Sequence, residues 1–382
     1  MRRKIVYCIP SLHFPSGMER VLTIKANYFA DVLVYDIYII LTDNKDKEPY
    51  YKLSPKIHLI NLDINFNELW KQSIFKKILL YLEKQRLYKR KLEDILTEIR
   101  PDITISMLRR EINFINSIND GSKKIGEIHF SRSHYRNMEF DGNKNIIKHI
   151  FSKFWMTQLL RELKKLSLFV TLSSEDNEKW HEIDNKIYIY NPLSFFPDKK
   201  SNCNSKQVIA VGRYTYQKGF DMLIDCWKIV AEKHPDWILK VYGGGDRTEF
   251  IKQRDRLGLM ENLFLESETN EIVEKYCESS IFVLSSRFEG FGMVITEAMA
   301  CGVPAVSFEC PCGPKDIIKN GEDGLLVENG NIKQLAEKIC YLIDNEEIRK
   351  EMGGKARVNV ERFKLENIGK QWEKTFDELL IK

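Results

Sequence analysis

The sequence predicts an α/β protein built from two doubly wound, Rossmann-like domains. Two successive series of short, continuously apolar, β-branched runs alternate with helical patterns. Strands of that kind lie in parallel sheets covered on both faces. A polar stretch, YNPLSFFPDKKSNCNSK at 190–206, separates the series. Its Pro, Ser, Asn and Lys mark a boundary, and a length of 382 residues suits two domains.

The first series comprises KIVYCI (4–9), VYDIYIIL (34–41), IHLINL (57–62), ITISM (103–107), KIGEIHF (124–130) and LFVTLS (168–173). The second comprises QVIAVG (207–212), ILKVYG (238–243), LFL (263–265), IFVLSS (281–286), AVSF (305–308) and LLV (325–327). Helical patterns such as FDMLIDCWKIVAEKH (220–234) fill the gaps. The expected domains are 1–190 and 191–365. A final helix at about 366–382 carries Ile368, Trp372, Phe376 and Leu379 on one stripe. By then the second sheet is complete, so the stripe is expected to pack back on the first domain.

Composition narrows the function. Hydrophobic residues at 43% and charged residues at 30% describe a globular chain with a solvated surface. A formal net charge of +4 does not mark a nucleic-acid binder. No apolar run is long enough to span a bilayer, and the basic-then-apolar start, MRRKIVYCIPSL, reads as a buried first strand rather than a leader. The eight cysteines are scattered, mostly inside apolar runs. CPC at 310–312 lacks a second Cys or His pair at ligand spacing. A reduced, cytoplasmic setting is expected.

Ligands of open α/β sheets bind beyond the carboxyl ends of the strands. After QVIAVG come Arg213, Lys218 and Gly219. After ILKVYG come Gly244, Gly245 and Asp246, and after IFVLSS comes RFEGFG. Gly290 and Gly292 let backbone approach a ligand. The helix that follows offers unpaired N–H groups and its dipole to a phosphate. Arg213 and Lys218 supply the charge a diphosphate needs. Glu289 stands beside the phosphate position, and Glu297, in the second helical turn, suits the two hydroxyls of a ribose. Each piece alone is ordinary surface chemistry. Their convergence at three strand ends reads as a site for a nucleoside diphosphate bearing a group that Glu289 touches.

VGRYTYQKGFDMLIDCW, RFEGFGMVITEAMACGVPAV and CGPKDIIKNGEDGLLV resemble the donor-binding half of the retaining GT-B glycosyltransferases, glycosyltransferase family four. The resemblance is strong over about 207–330. It implies a GT-B arrangement, two Rossmann-like domains facing across a cleft, and transfer of a sugar from a nucleotide donor with retention. It further implies that Arg213 and Lys218 hold the diphosphate and that Glu297 holds the ribose. Glu289 would meet the transferred sugar. The amides of Gly290, Phe291, Gly292 and Met293, with Gly244, would meet phosphate or sugar. SGMERVLTIKANYFA (16–30) is similar to the family's first loop, making Gly17 a donor contact. EIHFS (127–131) resembles its histidine loop, making His129 a catalytic candidate; His129 reads equally as a hydrogen-bonded core histidine. IYIYNPL (187–193) resembles the crossing into the second domain, and Asp316 stands where many members carry Glu. The family usually works without metal, and no cofactor or Asp-x-Asp set is expected here.

Residues 71–91 carry eight Lys/Arg and one Glu within a candidate helix at 67–99, whose apolar stripe is Trp70, Ile74, Phe75, Ile78, Leu79 and Leu82. A second basic, aromatic segment covers 143–166. Either helix could lie on anionic lipid or pack on the core with a solvated basic face. The resulting expectation is a cytoplasmic glycosyltransferase, peripheral on the membrane's inner face, with a UDP-sugar donor and a saccharide or lipid-linked acceptor in surface polysaccharide or lipopolysaccharide synthesis. The alternatives are a nucleotide-dependent oxidoreductase, disfavoured by the missing Gly-x-Gly-x-x-Gly, and a non-catalytic nucleotide- or sugar-binding module.

Overall fold

The computed structural model describes residues 2–43, 47–71, 73–133, 135 and 146–381. The chain forms two compact units, Met1–Pro192 with Leu365–Lys382, and Leu193–Lys364.

In the first unit, β1 (Lys4–Ile9), β2 (Asp36–Leu41), β3 (His58–Asn61), β4 (Ile103–Ser106), β5 (Lys123–Glu127), β6 (Leu168–Thr171) and β7 (Lys186–Tyr188) pair in parallel. Their order is β3-β2-β1-β4-β5-β6-β7. The central strands are buried on both faces, which is why they read as unbroken apolar runs. One face is covered by α1 (Gly17–Asp31) and α12 (Leu365–Ile381), the other by α2 (Ile74–Ile99) and α3 (Ile146–Leu163). A short α4 (Ser174–Lys179) follows β6. Trp372 and Phe376 of α12 are buried in the cluster with Phe29 of α1, and the Phe29 and Phe376 rings lie 5.6 Å apart. A Cβ at Gly369 would fall 2.2 Å from the Tyr28 ring, so glycine lets the two helices meet.

In the second unit, β8 (Gln207–Val211), β9 (Ile238–Tyr242), β10 (Leu263–Glu266), β11 (Ile281–Leu284), β12 (Ala305–Phe308) and β13 (Gly324–Val327) form a second parallel sheet, ordered β10-β9-β8-β11-β12-β13. Its helices are α5 (Phe220–Lys233), α6 (Thr248–Arg256), α7 (Ile272–Cys277), α8 (Met293–Ala300), α9 (Pro314–Ile317), α10 (Ile332–Asp344) and α11 (Glu346–Asn359). In each sheet the strand order reverses beside the first strand, between β1 and β4 and between β8 and β11. Such switch points open a crevice at the carboxyl edge.

Three expectations change. The helix expected at 67–99 is two elements, a 3-10 helix at Phe66–Lys71 and then α2. The residues of α2 that face the core are Tyr88, Leu92 and Leu96, while Ile78, Leu79 and Leu82 of the expected stripe are exposed. The side chains of Trp70, Lys71, Ile74 and Phe75 lie outside the described residues, as do residues 143–145 of the second basic segment. Finally, β5 stops at Glu127, short of the strand expected over 124–130, so His129 sits in the loop that follows. No helix among the described residues is long and apolar enough to cross a membrane.

Candidate active site

The second unit gathers its site from the loops after β8, β9, β11 and β12. Tyr214 N–H donates to Gly244 O at 2.8 Å, and a Cβ on Gly243 would sit 1.8 Å from Gly212 O. Only glycine permits that approach. After β8 the chain makes one 3-10 turn, Tyr216–Lys218, and enters α5 through Gly219 at φ 62°. A side chain at Gly219 would strike Ser285 O at 2.1 Å. Arg287 fastens the same loops: its guanidinium donates to both Asp221 oxygens, at 2.8 and 2.5 Å, and to Tyr216 O at 2.8 Å.

These constraints set Lys218 against Glu289. Lys218 Nζ donates to Glu289 Oε1 at 2.7 Å, and Ser286 Oγ donates to the same oxygen at 2.6 Å. Both side chains are largely withdrawn from water, 16% and 7% exposed. Arg213, in contrast, is exposed and forms no ion pair among the described residues. Two cations therefore flank the rim of β8, one neutralised by a carboxylate and one not.

The β11–α8 loop is held from the other side. Glu289 N–H donates to Pro311 O at 3.1 Å, and a Cβ on Gly313 would lie 1.7 Å from Phe291 O. Cys312 and Gly313 meet this approach with φ of 68° and 114°, the left-handed region that a non-glycine residue enters only under constraint. Gly292 caps α8 at φ 95°. The N–H groups of Gly290, Gly292 and Met293 have no partner among the described residues, so they remain as donors at the helix start. The Phe291 ring is buried 5.6 Å from Phe363, edge to face, so that side chain packs and only its backbone faces the loop. Glu297 is buried further along α8. Ser194 Oγ donates to its Oε1 at 2.9 Å and Tyr276 Oη to its Oε2 at 3.3 Å.

In the first unit, a cleft of about 560 Å³ opens at the carboxyl edge of the sheet. Phe14, Glu19, Asp43, Arg109, Arg110 and Phe130 contribute to its lining. Arg110 pairs with Asp43 at 3.1 Å, and the Arg109 guanidinium lies 5.1 Å from the centre of the Phe130 ring. Gly17 is exposed at the start of α1. His129 follows β5, with Nε2 3.1 Å from Glu127 Oε1. The same oxygen accepts a hydrogen bond from Lys25 Nζ of α1. Burial alone would raise the Glu127 carboxyl; Lys25 and the His129 hydrogen bond overcome it and hold the group at about 2. Lys25 is lowered by burial, against the pull of Glu127. Among the described residues no group of three or more His, Cys, Asp or Glu side chains could hold a metal ion.

The donor-side loops coincide with a known family. Residues 194–359 match the model of the glycosyl transferases group 1. The match contains Arg213, Lys218, Glu289 and Glu297. Over that segment, a little under half of its length, this chain is similar to the group 1 glycosyltransferases. It is similar to an uncharacterized glycosyltransferase of Haemophilus influenzae, 28% identical over 378 residues, covering 97% of this chain and 99% of that one. It is also similar to the poly(ribitol-phosphate) α-N-acetylglucosaminyltransferase of Staphylococcus aureus, 29% identical over 69% of this chain and 52% of that one. Among solved structures, S. aureus TarM in complex with fondaparinux, α-GlcNAc-glycerol and UDP superposes with a TM-score of 0.79, 18% identity, and 98% and 99% of the two chains covered. Anabaena HepE in complex with UDP-glucose gives 0.72 at 17% identity, covering 98% of this chain and 99% of that one. The fold is GT-B, and the enzyme is a glycosyltransferase of the hexosyltransferase type. The oxidoreductase and non-catalytic readings of the sheet type fall away.

Sequence reasoning had not singled out Lys25, Glu127, Asp43, Arg109 or Arg110. Lys25 lies on the helix after β1, Glu127 ends β5, and Asp43, Arg109 and Arg110 follow β2 and β4. Glu127 had a local signal, since Glu-x-His at a strand end places both side chains on one side of the chain.

Proposed function

We propose that this glycosyltransferase moves a hexosyl group from a UDP-sugar, with retention, to a saccharide or lipid-linked acceptor in bacterial surface polysaccharide or lipopolysaccharide synthesis. The observation that carries the reading is the Lys218–Glu289 pair at 2.7 Å beside the N–H donors of Gly290, Gly292 and Met293. It offers one cation and several dipoles to a diphosphate, and one carboxylate to whatever the diphosphate carries. Bound UDP and UDP-glucose in the TarM and HepE structures support the donor. A likeness to the amylovoran biosynthesis glycosyltransferase AmsD of Erwinia amylovora, 34% identical over 48% of this chain and 51% of that one, supports the pathway class.

In this mechanism Arg213 and Lys218 stabilise the departing diphosphate, and Gly244 leaves room for the donor beside the β9 loop. Glu297 holds the ribose. The bond from the anomeric carbon to the diphosphate oxygen breaks while the acceptor oxygen bonds to the same face. The acceptor proton passes to a diphosphate oxygen, releasing UDP. Glu289 meets the transferred sugar; Gly17 is assigned as a donor contact and His129 as a catalytic residue. No metal or cofactor is assigned a role. The test is a panel of sugar nucleotides read by nucleotide release, with the anomeric configuration of the first product followed by NMR. Inversion of configuration refutes retention; release only from GDP-sugars refutes the UDP assignment.

A membrane surface is the second partner. It is supported by Ile78, Leu79 and Leu82 on α2 and by Phe154 and Trp155 on α3, all exposed, next to exposed Lys76, Arg86, Arg90 and Lys153. Lys84 and Lys91 do not belong to this surface, because their ammonium groups donate to the carbonyls of residues 62–65. Each basic residue near an anionic bilayer contributes about 1 kcal/mol. Salt-sensitive sedimentation with anionic vesicles is expected; equal sedimentation with neutral vesicles refutes it.

A further inference from the structure

The first unit contains three ionisable groups that neither nucleotide binding nor packing requires to be charged. Lys25, Glu127 and His129 have side-chain exposures of only 2%, 1% and 4%. Burying a charge pair costs several kcal/mol per ion and is offset only by close, well-partnered contacts. A Leu and a Met of similar volume would fill the same space without that cost. The partners present are specific. Glu127 Oε1 accepts from both Lys25 Nζ and His129 Nε2, and the Lys25 ammonium also lies 4.4 Å from the centre of the Trp372 ring. The other oxygen, Oε2, is buried with no partner among the described residues, as is the nearby Tyr7 hydroxyl. The network is thus organised around one oxygen, the one that His129 shares.

Resting on the reading that His129 contacts the donor, we infer that Glu127, locked by Lys25, is a positioning residue that fixes the tautomer of His129. An ionised carboxylate accepts hydrogen bonds and donates none. The His129 nitrogen facing it must therefore carry the proton. In a neutral imidazole this leaves Nδ1 as the only acceptor for a ligand. His129 is in this way committed to receive a hydrogen bond from a donor hydroxyl, and its ring plane is held by a group that cannot turn away without stranding Lys25. Trp372 places one wall of this arrangement on α12, far along the chain from the loop that it supports.

Glu127→Gln made in a Lys25→Met background, with Lys25→Met alone as its reference, tests the inference, because without the ammonium on the shared oxygen the amide can turn either its oxygen or its NH2 group to His129 and so releases the choice of tautomer. In 15N-histidine-labelled protein, with His129 signals identified by their loss in His129→Ala, wild type is expected to show the proton on Nε2. Glu127→Gln in the Lys25→Met background is expected to show a mixture. With the UDP-sugar that the panel turns over, Glu127→Gln in that background should lower kcat roughly tenfold relative to Lys25→Met alone, at the lower end of losses seen when a histidine's orienting partner is removed. It should leave KM near that of Lys25→Met. In a His129→Ala background the same change should cost less than about twofold, since a residue acting through His129 has nothing left to act through. Equal losses with and without His129, or an unaltered tautomer, overturn the positioning role alone. Wild-type kcat in His129→Ala overturns the reading of His129 itself. Because the Lys25→Met, Glu127→Gln pair removes both buried charges together, no unpaired ion is left to prevent folding, and Lys25→Met alone, which keeps the carboxylate facing His129, should keep the proton on Nε2.

Discussion

Lys218 is paired with a carboxylate of its own chain, and this sets an expectation for Glu289→Gln that differs from a simple loss of contact. The Lys218 ammonium is 2.7 Å from Glu289 Oε1 and only 16% exposed, so the carboxylate supplies much of its counter-charge. A diphosphate approaching Lys218 meets that negative charge. Glutamine at 289 keeps an oxygen for Ser286 Oγ and for Lys218 but removes the charge. UDP affinity should then range from unchanged to about tenfold tighter, the tenfold figure corresponding to about 1.4 kcal/mol of relieved repulsion. Lys218→Ala should act in the opposite sense. Loss of a charge-assisted contact costs roughly 1.5–3 kcal/mol, or about 10- to 150-fold in UDP affinity. Arg213→Ala should lose a similar amount, because its guanidinium has no competing ion pair among the described residues. Turnover separates the roles: Glu289→Gln should lower kcat, since a carboxylate near the anomeric carbon matters most as positive charge develops there. The assay is calorimetric UDP binding beside steady-state kinetics for all three variants. Glu289→Gln that binds UDP more weakly while keeping kcat would refute the assignment.

Glu297→Gln should loosen UDP by about tenfold with a smaller effect on turnover of bound donor, measured in the same titrations; unchanged affinity would leave Glu297 as a brace for Ser194 and Tyr276 only. Trp372→Ala removes a ring that is 1% exposed and should lower unfolding free energy by about 3–5 kcal/mol, read by denaturant titration. The Glu127 carboxyl is held at about 2 against an ordinary 4.5. Its contribution to stability is present above the unfolded value and is lost as pH falls from there toward the folded value. Denaturation midpoints of wild type should therefore drop more steeply than those of Glu127→Gln between about pH 5 and pH 3, and equal slopes would contradict the depressed value.

Most strands were legible because their residues are buried on both faces, leaving short, β-branched apolar runs bounded by turn residues. β7 was not, except through the resemblance around residues 187–193, because Lys186–Tyr188 is short and lies at the sheet edge. The donor loops were legible from glycine and charge spacing. The Lys218–Glu289 contact itself, spanning 71 positions, was not. Basic residues on α2 misled for a physical reason: Lys84 and Lys91 look like surface charge in sequence, yet their ammonium groups bond to the carbonyls of a preceding loop. The Lys25–Glu127 pair, 102 positions apart, had no signal beyond the Glu-x-His spacing.

The first unit is assembled from two separated stretches of chain, and this has a consequence for synthesis. On the ribosome, β1 to β7 and α1 emerge first, while α12 follows only after Leu193–Lys364 has been made. At ordinary elongation rates that interval is roughly ten to thirty seconds. Throughout it the apolar side of α1, with Tyr28 and Phe29, has no helix over it, and Lys25 lacks the Trp372 ring. A nascent first unit is therefore sticky and incomplete, a client for chaperones, until translation delivers the segment that seals it.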